Sequence, residues 1–333
     1  MSQTSEGGKG HGESIGKGNR RDHEASSKER RRDQAVSSST DNRIIRTSNK
    51  GKGSGKNQNA GNIRIKRHSS SYQLKLKAGL VLSAALLLLA LIACFRTPYS
   101  PTEMNSSLIM QSPSLAHWMG TDNMGRDVFS RVLAGSGITF LVAAITVLAS
   151  LTAGVILGFI SGYFGGMADG IIMRICDVML SFPSMLLALI VISIMGKGTE
   201  NIVAALSILF VPSFVRIARS EMIRLKNLDF VLGERALGVK TWKIIFAHIL
   251  PNALPSLLTS VVIGFNNAVL AEAGMSYLGL GVQPPTSSLG RMISEAQDFL
   301  FTAPWYAMGA GLWIILMILG FSLMAEGLKD MEE

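Results

Sequence analysis

Histidine, cysteine and acidic side chains are the residues of this chain that could do chemistry, but their spacing matches no catalytic or metal-binding motif. Cys94 and Cys176 lie far apart in apolar sequence, which is typical of neither a disulfide framework nor a zinc site. His117 and His248 lie at or outside the ends of apolar segments, and neither belongs to an HExxH motif. We therefore predict no catalytic residue, no cofactor and no metal site, and we disfavour an intramembrane enzyme.

A short run, KGSGK at 52–56, superficially resembles a phosphate-binding loop. The Walker pattern requires Gly where this chain has Lys50, and Ser or Thr where it has Asn57. We therefore do not expect this segment to bind a nucleotide.

Glu272 is an acidic residue next to a long apolar segment, 249–271. A carboxylate in such a place is costly unless it is paired or hydrated. Two interpretations stay open: Glu272 lines or gates a cavity, or it forms an ion pair, with Arg291 as the candidate partner. The Gly- and Pro-containing run at 274–285 cannot continue a helix, so it predicts a re-entrant or outer-face loop.

A polar segment, GTDNMGRDVFSR at 120–131, precedes the second apolar segment. Its glycines predict a turn, and Asp127 is placed to cap the following helix near the positive end of the helix dipole. We take Asp122, Arg126 and Asp127, with Glu272, as candidates for an outer-face or cavity site. The alternative is a helix cap with an ion pair at the surface.

The segment DFVLGERALGVKTWKIIFAHILPN at 229–252 lies between two apolar segments. It predicts a short helix over 231–237 that ends at Gly238, a residue type favoured just after a helix. A second helix is predicted over 240–250, and Pro251 stiffens the entry to the next apolar segment. Its apolar residues at helical spacing are Trp242, Ile245, Phe246 and Ile249. Such a helix either docks in a partner's groove or lies on its own membrane surface.

Six apolar segments must position these residues, and we predict that they span a membrane. They cover residues 78–95, 132–168, 178–196, 201–215, 249–271 and 299–325. In lipid every backbone group must be hydrogen-bonded within the protein, so apolar segments of about 20 residues are helices. We therefore predict an all-α polytopic membrane protein, with the glycines of 154–166 allowing close helix packing. Beside the third segment, Arg174 and Asp177 are spaced for a local ion pair.

The positive charge of the chain is concentrated at its N-terminus. Of 333 residues with a formal net charge of +9, residues 1–77 hold 18 of the 32 Lys and Arg but only 7 of the 23 Asp and Glu. Residues 1–74 contain few large apolar side chains, so we predict a disordered basic tail. The tail is either simply solvated or in contact with anionic lipid headgroups, and nucleic-acid binding ranks third.

The distribution of basic residues also predicts an orientation. Lys and Arg are concentrated in the tail and in the loop 216–248, so the positive-inside rule makes the N-terminus, this loop and the C-terminus cytoplasmic. The stretches 96–135 and 273–300 are then expected to face outward.

Four runs occur in an order that resembles one family of membrane proteins. They are GTDNMGRDVFSR, GYFGGMADGIIMRICDVMLSFPSMLLAL, ERALGVKTWKIIFAHILPN and SYLGLGVQPPTSSLGRMISEA. This order resembles the inner-membrane permeases of dipeptide, oligopeptide and nickel ABC importers, in particular the second, "C" type permease. The resemblance covers about residues 75–330 and implies a permease domain with the type I ABC importer fold, preceded by the tail.

The resemblance implies a function and a set of partners. It implies a permease subunit that carries di- or oligopeptides across the bacterial cytoplasmic membrane by alternating access, with nickel or a metal chelate as the alternative substrate. The implied partners are a homologous second permease, two ATP-binding subunits, an extracellular substrate-binding protein and membrane lipid, with no nucleic acid. ATP hydrolysis would then belong to the separate subunits.

The resemblance also implies that 229–252 is the coupling loop that docks on an ATP-binding subunit. The residues expected to carry this docking are Glu234, Ala236, Gly238, Trp242, Ile245, His248 and Pro251. The family's loop usually has Glu-Ala-Ala, three residues and then Gly. Here Leu232, Gly233 and Glu234 occupy the aligned positions, with Gly238 in register. The acid is displaced by two positions, about 200° around a helix, so Glu234 meets a partner from another direction or not at all.

Overall fold

The computed structural model describes the backbone of residues 58–332 and the side chains of residues 73–331. Within this range the chain is almost entirely helical, which confirms the predicted all-α fold. The helices are α1 (Gln58–Phe95), α2 (Val128–Phe164), α3 (Gly166–Ser181), α4 (Ser184–Met195), α5 (Thr199–Leu225), α6 (Asp229–Ala236), α7 (Thr241–Ile244), α8 (Leu250–Tyr277), α9 (Leu289–Ala296) and α10 (Pro304–Glu332). A π-helical turn, Ile245–Ile249, joins α7 to α8.

Five helical segments of the described chain are long and apolar enough to cross a membrane. They are Gln73–Phe95, Val128–Phe164, Thr199–Leu225, Thr241–Tyr277 and Pro304–Met331. Helices α3 and α4 pass the same test only as a pair, bent by 96°, and this pair is either a broken sixth span or a re-entrant loop. Five of the six predicted spans therefore each correspond to one long apolar helical segment, and the sixth corresponds to the bent pair.

The third predicted span, 178–196, is not one helix. Helix α3 ends at Ser181, Phe182 is extended with φ −94° and ψ 145°, and α4 begins after Pro183. Proline has no N–H to donate and disfavours the helical conformation of the residue before it, so the chain breaks here. Pro183 was visible in the sequence, but the apolar residues on both sides of it led to the prediction of one continuous span.

Helix α1 begins well before the predicted first span. Residues 1–57 of the predicted tail lie outside the described residues, whereas the backbone of 58–74 is helical and continues into the apolar part of α1. The predicted tail boundary at residue 74 stays a prediction. Once an apolar span is helical, each added residue gains a hydrogen bond without a new nucleation step, so the helix extends into polar sequence.

The closest helix packing joins α2 to α5. Three glycines of α2, spaced four residues apart, face α5. A Cβ atom on Gly158 would lie 2.6 Å from the carbonyl oxygen of Val215, and one on Gly162 would lie 2.8 Å from the Cβ atom of Met222. Only glycine lets the two backbones approach this closely, as the sequence predicted.

The long helices carry polar residues to two opposite ends of the bundle. Helix α2 has 37 residues, or about 55 Å at 1.5 Å per residue. Its first residue, Val128, is bonded to Gly120, and near its last turn the carbonyl of Gly162 accepts a hydrogen bond from Lys226 at 2.5 Å. We call the end formed by 96–127 and 278–303 the network end, and the end formed by 226–249 the loop end.

Candidate functional site

A group of charged side chains forms a buried network at the network end. Asp122 accepts hydrogen bonds from Arg126 Nε at 2.7 Å and from Arg131. Arg131, in the first turn of α2, has only 2% of its side chain exposed, and its Nη2 atom lies 2.9 Å from Glu295 Oε2. Tyr306 of α10 donates to the same carboxylate oxygen at 2.8 Å. Opposite charges and shared hydrogen bonds are the conditions under which buried ions are tolerated.

This network corrects one interpretation of the sequence and adds residues that sequence analysis missed. The surface ion pair is wrong, because Asp122 and Asp127 are both buried. Arg131, Glu295 and Tyr306 were missed because the partners of Arg131 lie 164 and 175 residues further along the chain. The available signal was a basic residue at the start of an apolar span, which requires a partner.

The charge state of Glu295 follows from the same network. Burial alone would raise the pKa of its carboxyl group, but the charge of Arg131 and the hydrogen bonds from Arg131 and Tyr306 outweigh burial. Together with the charge of Arg126 they hold the pKa of Glu295 below its ordinary value. Glu295 is therefore ionised at neutral pH and is the anion that pairs with Arg126, Arg131 and Arg291.

Asp127 is the N-cap of α2, as the sequence predicted. Its carboxylate accepts a hydrogen bond from the backbone N–H of Ser130 at 2.7 Å, the usual way to satisfy a free donor at a helix start. Its other oxygen lies 2.9 Å from His117 Nδ1. The cap is thus buried and paired with a histidine, and it ties the loop before α2 to the helix itself.

Glu272 belongs to a separate set of residues near the end of α8. It is fully buried and accepts hydrogen bonds from the hydroxyl groups of Thr139 at 2.9 Å and Ser276 at 2.6 Å. Arg291 lies 3.2 Å from Glu295 instead, so the predicted Glu272–Arg291 ion pair is wrong. The acid joins α8 to α2 through hydroxyls, and its role as a cavity or gating group stays a prediction.

The loop end carries the segment predicted to dock on a partner. Helix α6 ends before Gly238, whose φ of +77° fits the left-handed position that glycine favours after a helix. The predicted second helix over 240–250 is not separate, because α7 runs through the π-helical turn into α8. The loop segment and the apolar part of α8 are therefore one continuous helical stretch.

The apolar side chains of this loop face two ways. Val231, Ile244 and Ile249 are buried against α2 and α5. Trp242 and Phe246 are 62% and 64% exposed. The remaining expected docking residues are mixed: Ala236, Gly238 and Pro251 are exposed, Ile245 is partly buried, and Glu234 and His248 are partly buried. The buried residues thus anchor the loop to α2 and α5, and Trp242 and Phe246 form an exposed aromatic surface.

The displaced acid of the loop has a partner within this chain. Glu234 Oε1 lies 2.9 Å from His248 Nε2, in the π-helical turn. Its other oxygen, Oε2, is buried without a hydrogen-bond partner among the described residues. Sequence analysis placed both residues in the loop but did not pair them, because the π-helical turn that sets the direction of His248 was not predicted.

Two arginines of α5 clamp helix α3 at the loop side of the bundle. Arg219 donates from Nε and Nη2 to the two carboxylate oxygens of Asp169, at 2.5 and 2.6 Å, and Arg216 donates to Asp177 at 2.6 Å. The predicted local pair of Arg174 with Asp177 is therefore wrong. The two acids of α3, Asp169 and Asp177, therefore pair with arginines of α5 and not with a residue of their own helix.

Comparisons with known proteins identify the family of this chain. Residues 154–331 match the family described as "Binding-protein-dependent transport system inner membrane component". The chain is 40% identical to the dipeptide transport system permease protein DppC of Alkalihalophilus pseudofirmus, over 76% of this chain and 83% of that protein. It is 38% identical to the glutathione transport system permease protein GsiD of Pectobacterium atrosepticum, over 77% and 87%.

A solved structure supports the fold. The inward-facing MetNI methionine ABC transporter in its CY5 native crystal form matches with a TM-score of 0.51 at 17% identity, over 60% of this chain and 95% of that one. At this identity the likeness concerns the fold alone. Together with the apolar helices, the relatives make this a multi-pass protein of the cytoplasmic membrane. By sequence and fold, the chain belongs to the family of inner-membrane components of binding-protein-dependent transport systems.

Proposed function

We propose that this chain is one permease subunit of an ATP-driven ABC importer for short peptides. The observation that carries the proposal is the 40% identity, over three quarters of this chain, to a protein named as a dipeptide transport permease. A second relative is named for glutathione, which is also a short peptide. Nickel or a metal chelate, the alternative from the sequence, is the competing outcome of an uptake test.

The proposed complex contains a second permease, two ATP-binding subunits and an extracellular binding protein. The orientation follows the positive-inside rule: the loop end and the last turns of α5 are cytoplasmic. Their basic residues are Arg216, Arg219, Arg224, Lys226, Arg235, Lys240 and Lys243. The network end then faces outward, towards the binding protein. The N- and C-termini are cytoplasmic in this arrangement.

The mechanism assigns a step to each end. ATP-driven closure of the ATP-binding subunits pushes on the exposed aromatic surface of Trp242 and Phe246. Because α7, the π-helical turn and α8 are continuous, the push reaches Glu272 at the far end of α8. The buried network holds the start of α2 against α9 and α10. The helices therefore respond to the push from the ATP-binding subunit by switching between two packed arrangements.

The substrate is tested by uptake. Cells that express the full transport system are given a labelled dipeptide or labelled nickel ions, with and without an ATP-binding subunit that cannot hydrolyse ATP. We expect ATP-dependent accumulation of the dipeptide. ATP-dependent accumulation of nickel without dipeptide uptake would overturn the peptide assignment and leave an importer permease.

The docking role of the loop is tested at Gly238. We expect Gly238→Asp to abolish coupling of ATP hydrolysis to uptake in the assembled complex, since it strains the turn and adds a charge to the docking surface. Gly165→Asp is the matched control, because Gly165 also has a positive φ, +65°, with no atom near its Cβ position. Normal coupling in Gly238→Asp would show that the docking assignment is wrong.

A further inference from the structure

A cavity of about 420 Å³ opens beside the break between α3 and α4. Apolar side chains form most of its lining. The polar residues of the lining are Ser184, Ser213 and Asn267, from α4, α5 and α8. The cavity thus lies where α4, α5 and α8 meet, and its lining includes no residue of the buried network or of the coupling loop.

The backbone around the cavity is unusual for a membrane segment. Residues 182 and 183 are not helical, although they lie between two helices that together have the length of one span. Non-helical backbone at membrane depth is tolerated only where it is covered by protein or lines a water-filled space. Discontinuous helices line substrate sites in other transport proteins for this reason.

The polar side chains of the cavity point to the same conclusion. Asn267 and Ser213 lie inside spans, both are exposed, and neither has a side-chain hydrogen bond in the part of the chain that the structure describes. An unpaired amide facing lipid is unfavourable, because hydrocarbon offers no partner. These groups require water, a protein partner or a substrate.

We propose that this cavity is this chain's share of the transport pathway, and that Asn267 hydrogen-bonds the backbone of a peptide in transit. The inference rests on the proposed function. An amide side chain can donate to a peptide carbonyl and accept from a peptide N–H, while the hydroxyls of Ser184 and Ser213 do the same. None of the residues lining this cavity is charged, so the pathway accepts peptides whatever the charge of their side chains.

The lining also argues against a bare metal ion as cargo at this point. Nickel prefers imidazole, thiolate or several oxygen ligands. The cavity offers one amide, two hydroxyls and the thioether of Met185. No cluster of three or more His, Cys, Asp or Glu residues suited to a metal occurs in the described residues.

A charge placed at Asn267 tests the proposal. In the assembled transporter we expect Asn267→Asp to lower the ratio of acidic to basic dipeptide uptake about tenfold, which corresponds to about 1.4 kcal/mol. The ratio is measured within one variant, so expression does not affect it. The matched control is Asn266→Asp, since Asn266 faces away and donates to Ser322 at 2.9 Å. An unchanged ratio in Asn267→Asp would overturn the proposal.

A second measurement does not depend on that variant's assembly. Asn267→Cys, with Cys94 and Cys176 replaced by Ala, is treated with a water-soluble maleimide. We expect labelling that a transported dipeptide slows several-fold, while Ile156→Cys, also exposed but outside the cavity, stays unlabelled. No labelling at 267, or labelling that the dipeptide does not slow, means that lipid or a partner subunit fills the cavity and overturns the proposal. If the unmodified complex imports no peptide, the proposed function itself fails.

Discussion

The two ends of this molecule hold their charges in opposite ways. At the network end, Arg131 and Asp122 are almost fully buried and form an ion pair with each other. Arg131 also contacts Glu295 and Tyr306. At the loop side, Arg216 pairs with Asp177 while about half of each side chain is exposed. Both arrangements contain short ion pairs, so distance alone does not distinguish them.

The difference lies in the surroundings of each pair. A buried ion that loses its partner keeps the full cost of desolvation, whereas an exposed ion that loses its partner is solvated by water. The network end is therefore built to keep one arrangement, since every alternative leaves a buried charge. The exposed pair of Arg216 with Asp177 carries no such penalty. At the loop end, the exposed aromatic residues lack a covering surface in the part of this chain that the structure describes.

The largest expected effect comes from breaking the network at Arg131. We expect Arg131→Met to destabilise the purified protein by about 3–5 kcal/mol, because it removes the more deeply buried of the two arginines that pair with both Asp122 and Glu295. Arg216→Met, the same change at the exposed pair, should cost less than about 1 kcal/mol. Thermal unfolding of both variants measures this. Equal losses of stability would show that burial does not separate the two ends.

A smaller and different effect is expected at the aromatic surface of the loop. Trp242→Glu should leave stability almost unchanged, since the side chain is exposed. It should weaken association with the ATP-binding subunit by about 2 kcal/mol, or roughly 30-fold, if this Trp anchors the interface. Co-purification with the ATP-binding subunit measures the effect.

The control for this variant makes the same change at the other end. Phe301→Glu places an acid on a fully exposed aromatic position of the network end. It should not change the amount of ATP-binding subunit that is recovered. A similar loss in both variants would contradict the assignment of docking to the loop end.

The sequence predicted those features that depend on neighbours in the chain. Asp127 caps α2 because a carboxylate is favoured at that place before any helix, and Gly238 follows α6 for a similar local reason. Hydrophobic length identified most of the spans. These features need no knowledge of which helices are adjacent.

Most of the residue pairs that sequence analysis missed depend on contacts between distant segments. The ion pair of Arg131 with Glu295 requires that α2 and α9 pack together. Arg291 also pairs with Glu295, and not with Glu272. The pairing of Glu234 with His248 depends on a π-helical turn, which adds one residue to the turn and rotates the helix after it. Periodicity of 3.6 residues does not predict such a rotation.

The pH dependence of stability tests the contribution of Glu295 to the network end. Because the pKa of Glu295 is lowered in the folded protein, its contribution is complete above its ordinary pKa and is lost as the pH falls through the lowered value. We expect unfolding temperature to fall in that acidic range in the wild type. Glu295→Gln should be less stable at neutral pH, and the gap should narrow on acidification. A constant gap would indicate that Glu295 does not titrate with folding.

A small effect on stability, with a specific effect on function, is expected at Glu234. The pair with His248 is partly exposed, so Glu234→Gln should cost less than about 1 kcal/mol. The pair joins α6 to the π-helical turn, so its loss should let α6 move without moving α8. We therefore expect more ATP hydrolysed for each peptide imported, measured with the complex in vesicles.

The exchange of the two residues separates this coupling role from simple loss of charge. The double variant Glu234→His with His248→Glu restores the pair with its ends reversed, so it should recover much of the normal ratio of ATP to peptide. Glu221→Gln removes an acid from another exposed pair, with Arg224 on α5, and should leave the ratio unchanged. If Glu234→Gln couples normally, then α6 moves with α8 through the buried contacts of Val231, Ile244 and Ile249 alone.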